Sequence, residues 1–572
     1  MFSTTWRTSP REFDVRHDVN VAIPVSDGVM IDADIVRPAG DGRHPVILSV
    51  HAYAKADQFA PIKPVGMNVE RGHMEAGDCN FFARRGYVHV IANVRGTGRS
   101  GGTFGNLDAR SIQDIAEVIE WLARQPWSSG RVGMFGISYF SIVQQRVATL
   151  APPSLKAIFA PYGWTDSYRD RYYRGGILSH TFMKSWLPTL DNPRLEEGAG
   201  DADAQAARAK AKEALLRDEE IQAVPYLVAA LKAPDEGANR VLLDVLLQPL
   251  DGAYYRERSV DYGTRPGVPA YLGACWGIYG LHLPGAFRSW ENWDGPRRLT
   301  IGPPLYFDRP FHQCQYEALR WFDYWLKDVD NGLLDEPPVR VFLDGSGEWR
   351  EGHEWPLPQT RWTPFYLHED GLLLEREHWP DEGHTSFEDS RFGRGHLDFR
   401  TPRAVETTEI CGPIALDLHA STTDVELLLF ASLWLVDTDG RERLLTRGWL
   451  RGSQRKLDAQ RSRPWQPVHV HDERQPLEPG EVYLFNIEIR PYGLELRPGQ
   501  ALKLRLACSD TEAPENFLHV MGAGSLVRQS AARITVHHNA HCPSALWLPV
   551  IKGNRLGFFH SGGLLPSPQS NA

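Results

Sequence analysis

The sequence predicts an α/β protein whose mainly parallel sheet is interrupted by a helical segment and followed by an all-β module. In residues 15–150, short apolar runs alternate with helix-like segments, which is typical of a parallel sheet covered by helices. After about residue 335, strand-like runs are separated by turn pairs such as Asp439-Gly440 and Pro498-Gly499, as in β-sandwiches. A chain of 572 residues is too long for one core, so two or three domains are expected.

Local patterns predict the elements of the α/β part. The apolar runs His44–Val50 and Tyr87–Val94 end in loops and predict buried strands. Ser111–Arg124 has apolar residues at 112, 115, 118, 119 and 122, which is the stripe of a helix that packs on a sheet. The strand pattern resumes at Val268–Gly273 and Arg298–Gly302, and an aromatic-rich helix is predicted from residue 317 to residue 327.

The remaining segments set the expected domain boundaries. Asp201–Lys232 is rich in Ala, Glu, Lys and Leu and predicts helices with exposed faces. The strand-like runs of the β module are Val339–Leu343, Glu426–Val436, Val482–Ile489 and Ala501–Ala507. We therefore expect a core at 15–164 and 263–334, a helical insertion at 165–262, a β domain at 335–562 and a disordered tail at 563–572.

Composition limits the classes of partner. The net charge of −10 argues against a nucleic-acid-binding protein, which needs a basic face. No apolar run approaches 18 residues and the N-terminus has no signal-peptide pattern, so we expect neither a membrane span nor secretion. Six scattered cysteines without a CxxC pair argue against a disulfide scaffold, and a reducing cytoplasm is the default. A small-molecule substrate is the expected partner, and a homo-oligomer stays open.

The segment Arg131–Phe140 carries the strongest functional signal. An apolar run ends at Gly136-Ile137-Ser138, and a helix-like segment follows at once. This is the layout of a nucleophile elbow, a sharp strand-to-helix turn that exposes a serine hydroxyl for acyl transfer. The five-residue elbow pattern would have a second glycine at 140, where this chain has Phe140. The alternative is an ordinary strand-turn-helix in which Ser138 is the helix N-cap.

A second glycine motif matches a cofactor-binding pattern, but the segment after it lacks the helix that such a site requires. Gly96-Thr-Gly98-Arg-Ser-Gly101 fits the GxGxxG pattern of dinucleotide-binding proteins. That mechanism requires a helix N-terminus directly behind the glycines to receive the pyrophosphate. Here more loop follows and the helix begins only near 110, so we expect no NAD or FAD site. No His/Asp cluster has metal-ligand spacing either, and we expect no cofactor and no metal.

Four segments along the chain together point to one protein family. They are Asn93–Gly102, Trp121–Trp127, Gly133–Tyr139 and Leu319–Lys327. Their combination resembles the cocaine esterase and X-Pro dipeptidyl-peptidase family of serine hydrolases over nearly the whole chain. The resemblance implies an α/β-hydrolase core, a helical cap inserted into it and a C-terminal β jelly-roll (galactose-binding-like) domain. In that family the second elbow glycine tends to fall one place later, at Ser141 here, so the departure remains.

The resemblance also implies an oxyanion hole. In the family, a tyrosine after the first core strand donates its hydroxyl to the oxyanion, in a Pro-Tyr-x-Lys motif. The matching segment here is His51-Ala-Tyr53-Ala-Lys55, so Tyr53 would be the side-chain donor and Tyr139 would supply the backbone N–H. Such donors act where negative charge develops in the transition state. The alternative for Tyr53 is simple packing in the core.

The acid and the base of the family's triad are missing from their expected positions. Counting forward from Trp276 places Ile278 where the family has its aspartate, and counting back from Pro284-Gly285 places Gly280 there. Tyr306 stands where the family has its histidine. Candidate replacements for the base are His312, His282 and His51, and candidate acids are Glu291, Asp294 and Asp308.

Three interpretations remain open from the sequence. In the first, a displaced histidine, His312 above all, serves as the base of an esterase, acylase or dipeptidyl-peptidase-like serine hydrolase. In the second, Ser138, Tyr53 and Tyr306 carry out non-hydrolytic acid-base chemistry, such as an elimination by a lyase. In the third, the degenerate site only binds ligands. We predict the first, with an ester or amide of a small organic molecule, or an X-Pro peptide, as substrate.

Overall fold

The computed structural model describes residues 7–59, 61–62, 72–73, 75–195, 202–304, 310–377, 383–390, 393–510, 526–527 and 530–553. A ten-stranded sheet forms the core, with the spatial order β1-β2-β4-β3-β5-β6-β7-β8-β9-β10. Its strands are β1 (Val15–Pro24), β2 (Met30–Pro38), β3 (His44–His51), β4 (Val88–Asn93), β5 (Ser128–Phe135), β6 (Leu155–Pro161), β7 (Ala270–Cys275), β8 (Arg297–Gly302), β9 (Val339–Phe342) and β10 (Trp349–Gly352).

The middle of the sheet is parallel and buried on both faces. Pairings from β4 through β9 are parallel, whereas β1, β2 and β10 join antiparallel at the edges. Alternate side chains enter opposite cores, so Ile47 of β3 packs on one face and Val46 and Leu48 pack on the other. This arrangement confirms the predicted α/β class with helices on both faces.

Twelve helices lie in the described residues. They are α1 (Lys55–Phe59), α2 (Cys79–Ala83), α3 (Ala109–Ala123), α4 (Tyr139–Ala148), α5 (His180–Trp186), α6 (Ala202–Leu215), α7 (Glu219–Gln222), α8 (Pro225–Lys232), α9 (Gly237–Leu246), α10 (Ala253–Glu257), α11 (Leu283–Asn292) and α12 (Pro310–Lys327). None of them is long and apolar enough to cross a membrane. Helices α5–α10 and a π-helical turn, Ser167–Tyr172, lie between β6 and β7, where the helical insertion was expected.

The C-terminal strands form a sheet that closes on itself. They are β11 (Arg361–His368), β12 (Leu372–Leu374), β13 (His384–Asp389), β14 (His396–Arg400), β15 (Thr408–Thr422), β16 (Leu428–Val436), β17 (Glu442–Arg451), β18 (Tyr483–Leu496), β19 (Ala501–Ala507), β20 (Ala532–His537) and β21 (Ala545–Lys552). The order is β13-β20-β15-β18-β17-β16-β19-β14-β12-β11-β21, and β21 also pairs with β15, which makes the sheet barrel-like. Strands β16 and β19 pair in this module and not in the parallel sheet, as predicted.

One predicted strand lies in a different sheet from the one expected. We placed Val339–Leu343 in the β domain, but β9 pairs in parallel with β8, so the core sheet continues through Gly352. Val339 and Val341 of this strand are buried, and β9 lies between β8 and the edge strand β10. Period-two alternation gives a strand its faces but not its partner, which explains the difference.

Buried polar contacts join the three parts of the molecule. The guanidinium of Arg451 in the β domain forms an ion pair with Glu220 of α7 and donates to the Gly176 carbonyl oxygen at 3.0 Å. Trp276 of the core donates its indole N–H to the Phe342 carbonyl oxygen at 2.6 Å. Gly493 of β18 lies against this pair, so the core and the β domain approach each other through a glycine.

Because Gly493 packs closely against Trp276 and Phe342, adding a methyl group at residue 493 should destabilise the protein. A Cβ there would lie 2.7 Å from Trp276 Cζ2 and 2.8 Å from the Phe342 carbonyl oxygen. We expect Gly493→Ala to lower the free energy of unfolding by about 1–3 kcal/mol, measured by urea denaturation. The control is Gly267→Ala, since a Cβ at residue 267 meets nothing within 4 Å. Equal effects of the two substitutions would contradict the proposed packing.

Candidate active site

Ser138 occupies a strained turn between β5 and α4. Its backbone has φ 59° and ψ −118°, a sparsely populated combination that persists only where the surroundings enforce it. The Ser138 N–H donates to the Tyr162 carbonyl oxygen at 3.1 Å, and the Ile137 N–H donates to the Glu75 carbonyl oxygen at 3.1 Å. The Ser138 side chain makes no capping hydrogen bond to α4, so the geometry is that of an elbow and not of an ordinary N-cap.

The structure also explains how the elbow forms without a second glycine. Gly136, at φ +131°, makes room for Phe140, since a Cβ at 136 would lie 2.6 Å from Phe140 Cβ. Ser141 fits because the facing residue is Gly163, where a Cβ would lie 2.4 Å from Ser141 Oγ. The Ser141 hydroxyl then donates to the Ala160 carbonyl oxygen at 2.7 Å. The close approach of helix and strand therefore depends on a glycine on the other side of the contact.

Tyr53 lies just after β3, beside the elbow. Its ring packs edge-on against the Tyr139 ring at 5.9 Å, and its hydroxyl oxygen accepts the indole N–H of Trp186 at 3.1 Å. Because Trp186 uses only a lone pair, the Tyr53 O–H proton stays available for donation. Burial raises the pKa of Tyr53 well above its ordinary value and Glu75 raises it further, so the phenol stays protonated.

The second expected oxyanion donor is the backbone N–H of Tyr139. Tyr139 is the first residue of α4, and the N–H groups of a first helical turn have no intrahelical acceptor. The positive end of the helix dipole lies at the same place and favours negative charge there. The Tyr139 phenol is buried, and no hydrogen-bond partner for it occurs among the described residues.

Among the described residues, Glu75 is the ionisable side chain that lies beside the Ser138 hydroxyl. Its Oε2 atom is buried and has no hydrogen-bond partner in the described part of the chain. Burial raises the pKa of Glu75 to about 8, and the interaction with the Ser138 side chain only partly opposes this. Sequence reasoning missed Glu75, because it lies in a loop before α2 and belongs to no motif.

The structure describes the side chains of two of the three histidines proposed as the base, His51 and His282. His51 is fully buried, and its Nδ1 accepts the Tyr53 N–H at 3.0 Å. Burial and, to a smaller extent, the charge of Lys55 lower the pKa of His51 to about 3, so the ring is neutral and its basic nitrogen is occupied. His282 precedes α11 and stacks on Trp164 at 6.1 Å, one layer from the elbow. Tyr306 and the His312 side chain lie outside the described residues, so their roles stay predictions.

Of the three acids proposed from the sequence, the two that the structure describes, Asp294 and Glu291, do not face the elbow. Asp294 pairs with Arg265 at 2.7 Å on the surface. Glu291 lines a separate cavity of about 290 Å³ between α11 and the β domain, whose lining contains neither Ser138 nor Tyr53. Ile278, at the family's acid position, is buried in a turn of 3₁₀-helix. Asp308 lies outside the described residues.

A buried cation, Arg171, lies behind Trp186 on the side of the site where Tyr53 lies. The Arg171 guanidinium is fully buried and lies over the rings of Trp186, Tyr172 and Trp164 at 4.2, 4.5 and 4.8 Å. Both of its terminal nitrogens donate to Asn106 Oδ1 at 3.4 Å, and no carboxylate pairs with it among the described residues. Its charge opposes the effect of burial on the pKa values of Tyr53 and Tyr139, so it favours negative charge on this side of the site.

The described residues contain no group of three or more His, Cys, Asp or Glu side chains arranged to hold a metal ion. The arrangement that they do contain is a strained serine, a carboxyl group beside its hydroxyl, and the Tyr53 phenol and Tyr139 N–H that are expected from the sequence as oxyanion donors. It can support acyl transfer to serine.

Comparison with known proteins gives the family. A model of the X-Pro dipeptidyl-peptidase (S15 family) matches residues 27–304, and a model of the X-Pro dipeptidyl-peptidase C-terminal non-catalytic domain matches residues 331–547. Cocaine esterase of Rhodococcus sp. (strain MB1 Bresler) is 26% identical over 595 residues, covering 93% of this chain and 98% of the esterase.

Solved structures share the fold along the whole chain. A CocE/NonD family hydrolase from Staphylococcus aureus aligns with a TM-score of 0.76 at 23% identity, covering 93% of each chain. An α-amino acid ester hydrolase aligns with a TM-score of 0.71 at 18% identity, covering 96% of this chain and 98% of the hydrolase. The matches and the fold together show that this chain is a divergent member of the cocaine esterase and X-Pro dipeptidyl-peptidase family of α/β-hydrolases.

Proposed function

We propose that this protein is a serine hydrolase that cleaves an ester or amide bond of a small organic substrate through an acyl-enzyme on Ser138. The observation that carries the proposal is the strained elbow, which presents the Ser138 hydroxyl at the N-terminus of α4 without using it as a cap. A backbone strain of roughly 1–3 kcal/mol is retained at functional sites where geometry matters. The family membership of the chain supports hydrolysis as the reaction.

The oxyanion of the tetrahedral intermediate would lie between the Tyr53 hydroxyl and the Tyr139 N–H. Trp186 fixes the Tyr53 phenol from the insertion, so the core and the cap would both contribute to the oxyanion hole. The buried Arg171 charge supports the same side of the site. X-Pro peptides are one candidate among the amides, and aromatic esters are another, since Trp164 and Trp186 border the site.

A fluorophosphonate probe tests the nucleophile directly. We expect one adduct per chain, located on Ser138 by peptide mapping after intact-mass analysis, because the elbow presents this hydroxyl for attack on the phosphorus. Ser138→Ala should abolish the adduct. Ser129→Ala, at the far end of β5, should leave it unchanged. A folded protein without an adduct would favour the elimination or binding interpretations instead.

Tyr53→Phe tests the oxyanion hole. Removing one such donor typically lowers kcat about 10²–10³-fold with a smaller effect on KM, because the bond forms mainly in the transition state. We expect this result for hydrolysis of p-nitrophenyl acetate. Tyr271→Phe is the control, since it removes a buried phenol hydroxyl that contacts Thr300 and Glu317. An unchanged kcat in Tyr53→Phe would show that Tyr53 only packs in the core.

A further inference from the structure

The contact between Glu75 and Ser138 is built into the elbow. The Glu75 carbonyl oxygen accepts the Ile137 N–H at 3.1 Å, which fixes residue 75 next to the nucleophile, and the Glu75 carboxyl interacts with the Ser138 side chain. One residue therefore holds the turn through its backbone and contacts the hydroxyl through its side chain. The carboxyl lies where a base would have to lie to remove the Ser138 proton.

The surroundings of the Glu75 carboxyl favour proton exchange. Its Oε2 atom is buried and has no hydrogen-bond partner within the described ranges, and no arginine or lysine pairs with it there. Among the described residues, the polar groups that face it are the Tyr53 phenol and the Ser138 hydroxyl, with Arg171 and His51 behind Tyr53. Lys55 is engaged by Asp32 and Asp34 at 2.7 and 2.8 Å.

We propose that Glu75 is the general base for Ser138, in the role that a histidine has in the family. This inference rests on the proposed acyl transfer and extends it. Glu75 qualifies as a catalytic residue because it contacts the reacting oxygen. His312 and His282 then have no part in the proton transfer.

The proton transfers balance with one carboxyl group. The Glu75 carboxylate takes the Ser138 Oγ proton as Oγ forms a bond to the substrate carbonyl carbon, and the carbonyl electron pair moves to the oxyanion. The oxyanion then collapses, the bond to the leaving oxygen or nitrogen breaks, and the Glu75 carboxylic acid protonates that atom. Water repeats the sequence on the acyl-enzyme, with Glu75 taking the water proton and returning it to Ser138.

The proposal predicts a distinctive pH dependence. The active form is the carboxylate, and the pKa of Glu75 is raised to about 8 by burial, so activity should rise with pH through about 8. Tyr53 stays protonated in this range, because its pKa lies well above 10, and His51 stays neutral, because its pKa is about 3. A histidine base of ordinary pKa would instead give a rise near 6.5.

The test is the rate of fluorophosphonate labelling from pH 5.5 to 9.5. We expect the wild-type rate to rise with a midpoint near 8. Glu75→Gln keeps the shape of the side chain but cannot accept the proton. This variant should label at least 100-fold more slowly at pH 8.5, and its labelling rate should show no rise near pH 8. Glu75→Ala should regain part of the rate when sodium formate is added, because formate can occupy the space of the missing carboxylate.

Matched controls separate this proposal from the proposed function. Glu317→Gln alters another carboxyl whose pKa is raised by burial, but which contacts Tyr271, and should leave the profile unchanged. A wild-type protein that never labels would overturn the acyl-transfer function itself. A wild type that labels, with Glu75→Gln unaffected and His312→Ala or His282→Ala inactive, would overturn only the role of Glu75. If Tyr306→Phe alone were inactive, this result would also overturn only the role of Glu75.

The same ionisation predicts a change in stability. Because the pKa of Glu75 is raised from 4.5 to about 8 in the folded protein, the folded state binds more protons than the unfolded state between these values. The contribution of Glu75 to stability is therefore present below pH 4.5 and is lost as pH rises to about 8. We expect the Tm of Glu75→Gln to increase relative to wild type between pH 5 and pH 8 and to stay level above it. A difference in Tm between the two proteins that stays constant with pH would indicate that Glu75 does not titrate in this range.

Discussion

The backbone of Ser138 is held in its unfavourable conformation by neighbours on several sides. Its N–H bonds to Tyr162 beyond the end of β6, the N–H of Ile137 bonds to Glu75, and the Gln144 amide returns from α4 to the end of β5. Hydrogen bonds of this kind contribute about 1 kcal/mol each, so together they offset a backbone strain of about 1–3 kcal/mol. The position of the nucleophile thus depends on the parallel sheet, the first turn of α4 and the loop that contains residue 75.

This dependence links the position of the base to the position of the nucleophile. The loop at residue 75 has to approach the elbow to satisfy the Ile137 N–H, and its side chain arrives with it. The carboxyl then enters an environment of low polarity, where burial shifts its pKa toward neutrality. A carboxyl of ordinary pKa would be too weak a base for a serine hydroxyl, whereas one with a pKa near 8 is better matched.

The sequence was sufficient to predict the fold class and the elbow, but not the polar partner of Ser138. Apolar periodicity located the central strands, because parallel strands are buried on both faces and have a strong signal. It could not assign β9 to a sheet, since alternation does not define a strand's partner. The role of Gly163 in accommodating Ser141 and the approach of Glu75 are long-range contacts, which no local pattern encodes. The family resemblance directed attention to Tyr306 and His312, whereas the described residues place a carboxyl beside Ser138.

The proposed carboxylate base would also account for the absence of an aspartate at the position where the family resemblance places the acid. A histidine that accepts the serine proton becomes a cation, and a buried aspartate is needed to stabilise that charge. Ile278, at the acid position, could not do so. Glu75 instead begins as an anion and becomes neutral, so the negative charge moves from the base to the substrate oxygen and no cation forms. The oxyanion then lies on the side where Tyr53, the N-terminus of α4 and the buried charge of Arg171 favour it. In the proposed mechanism, a carboxyl base thus removes the need for the third member of the triad, and the two departures from the family pattern would have one physical cause.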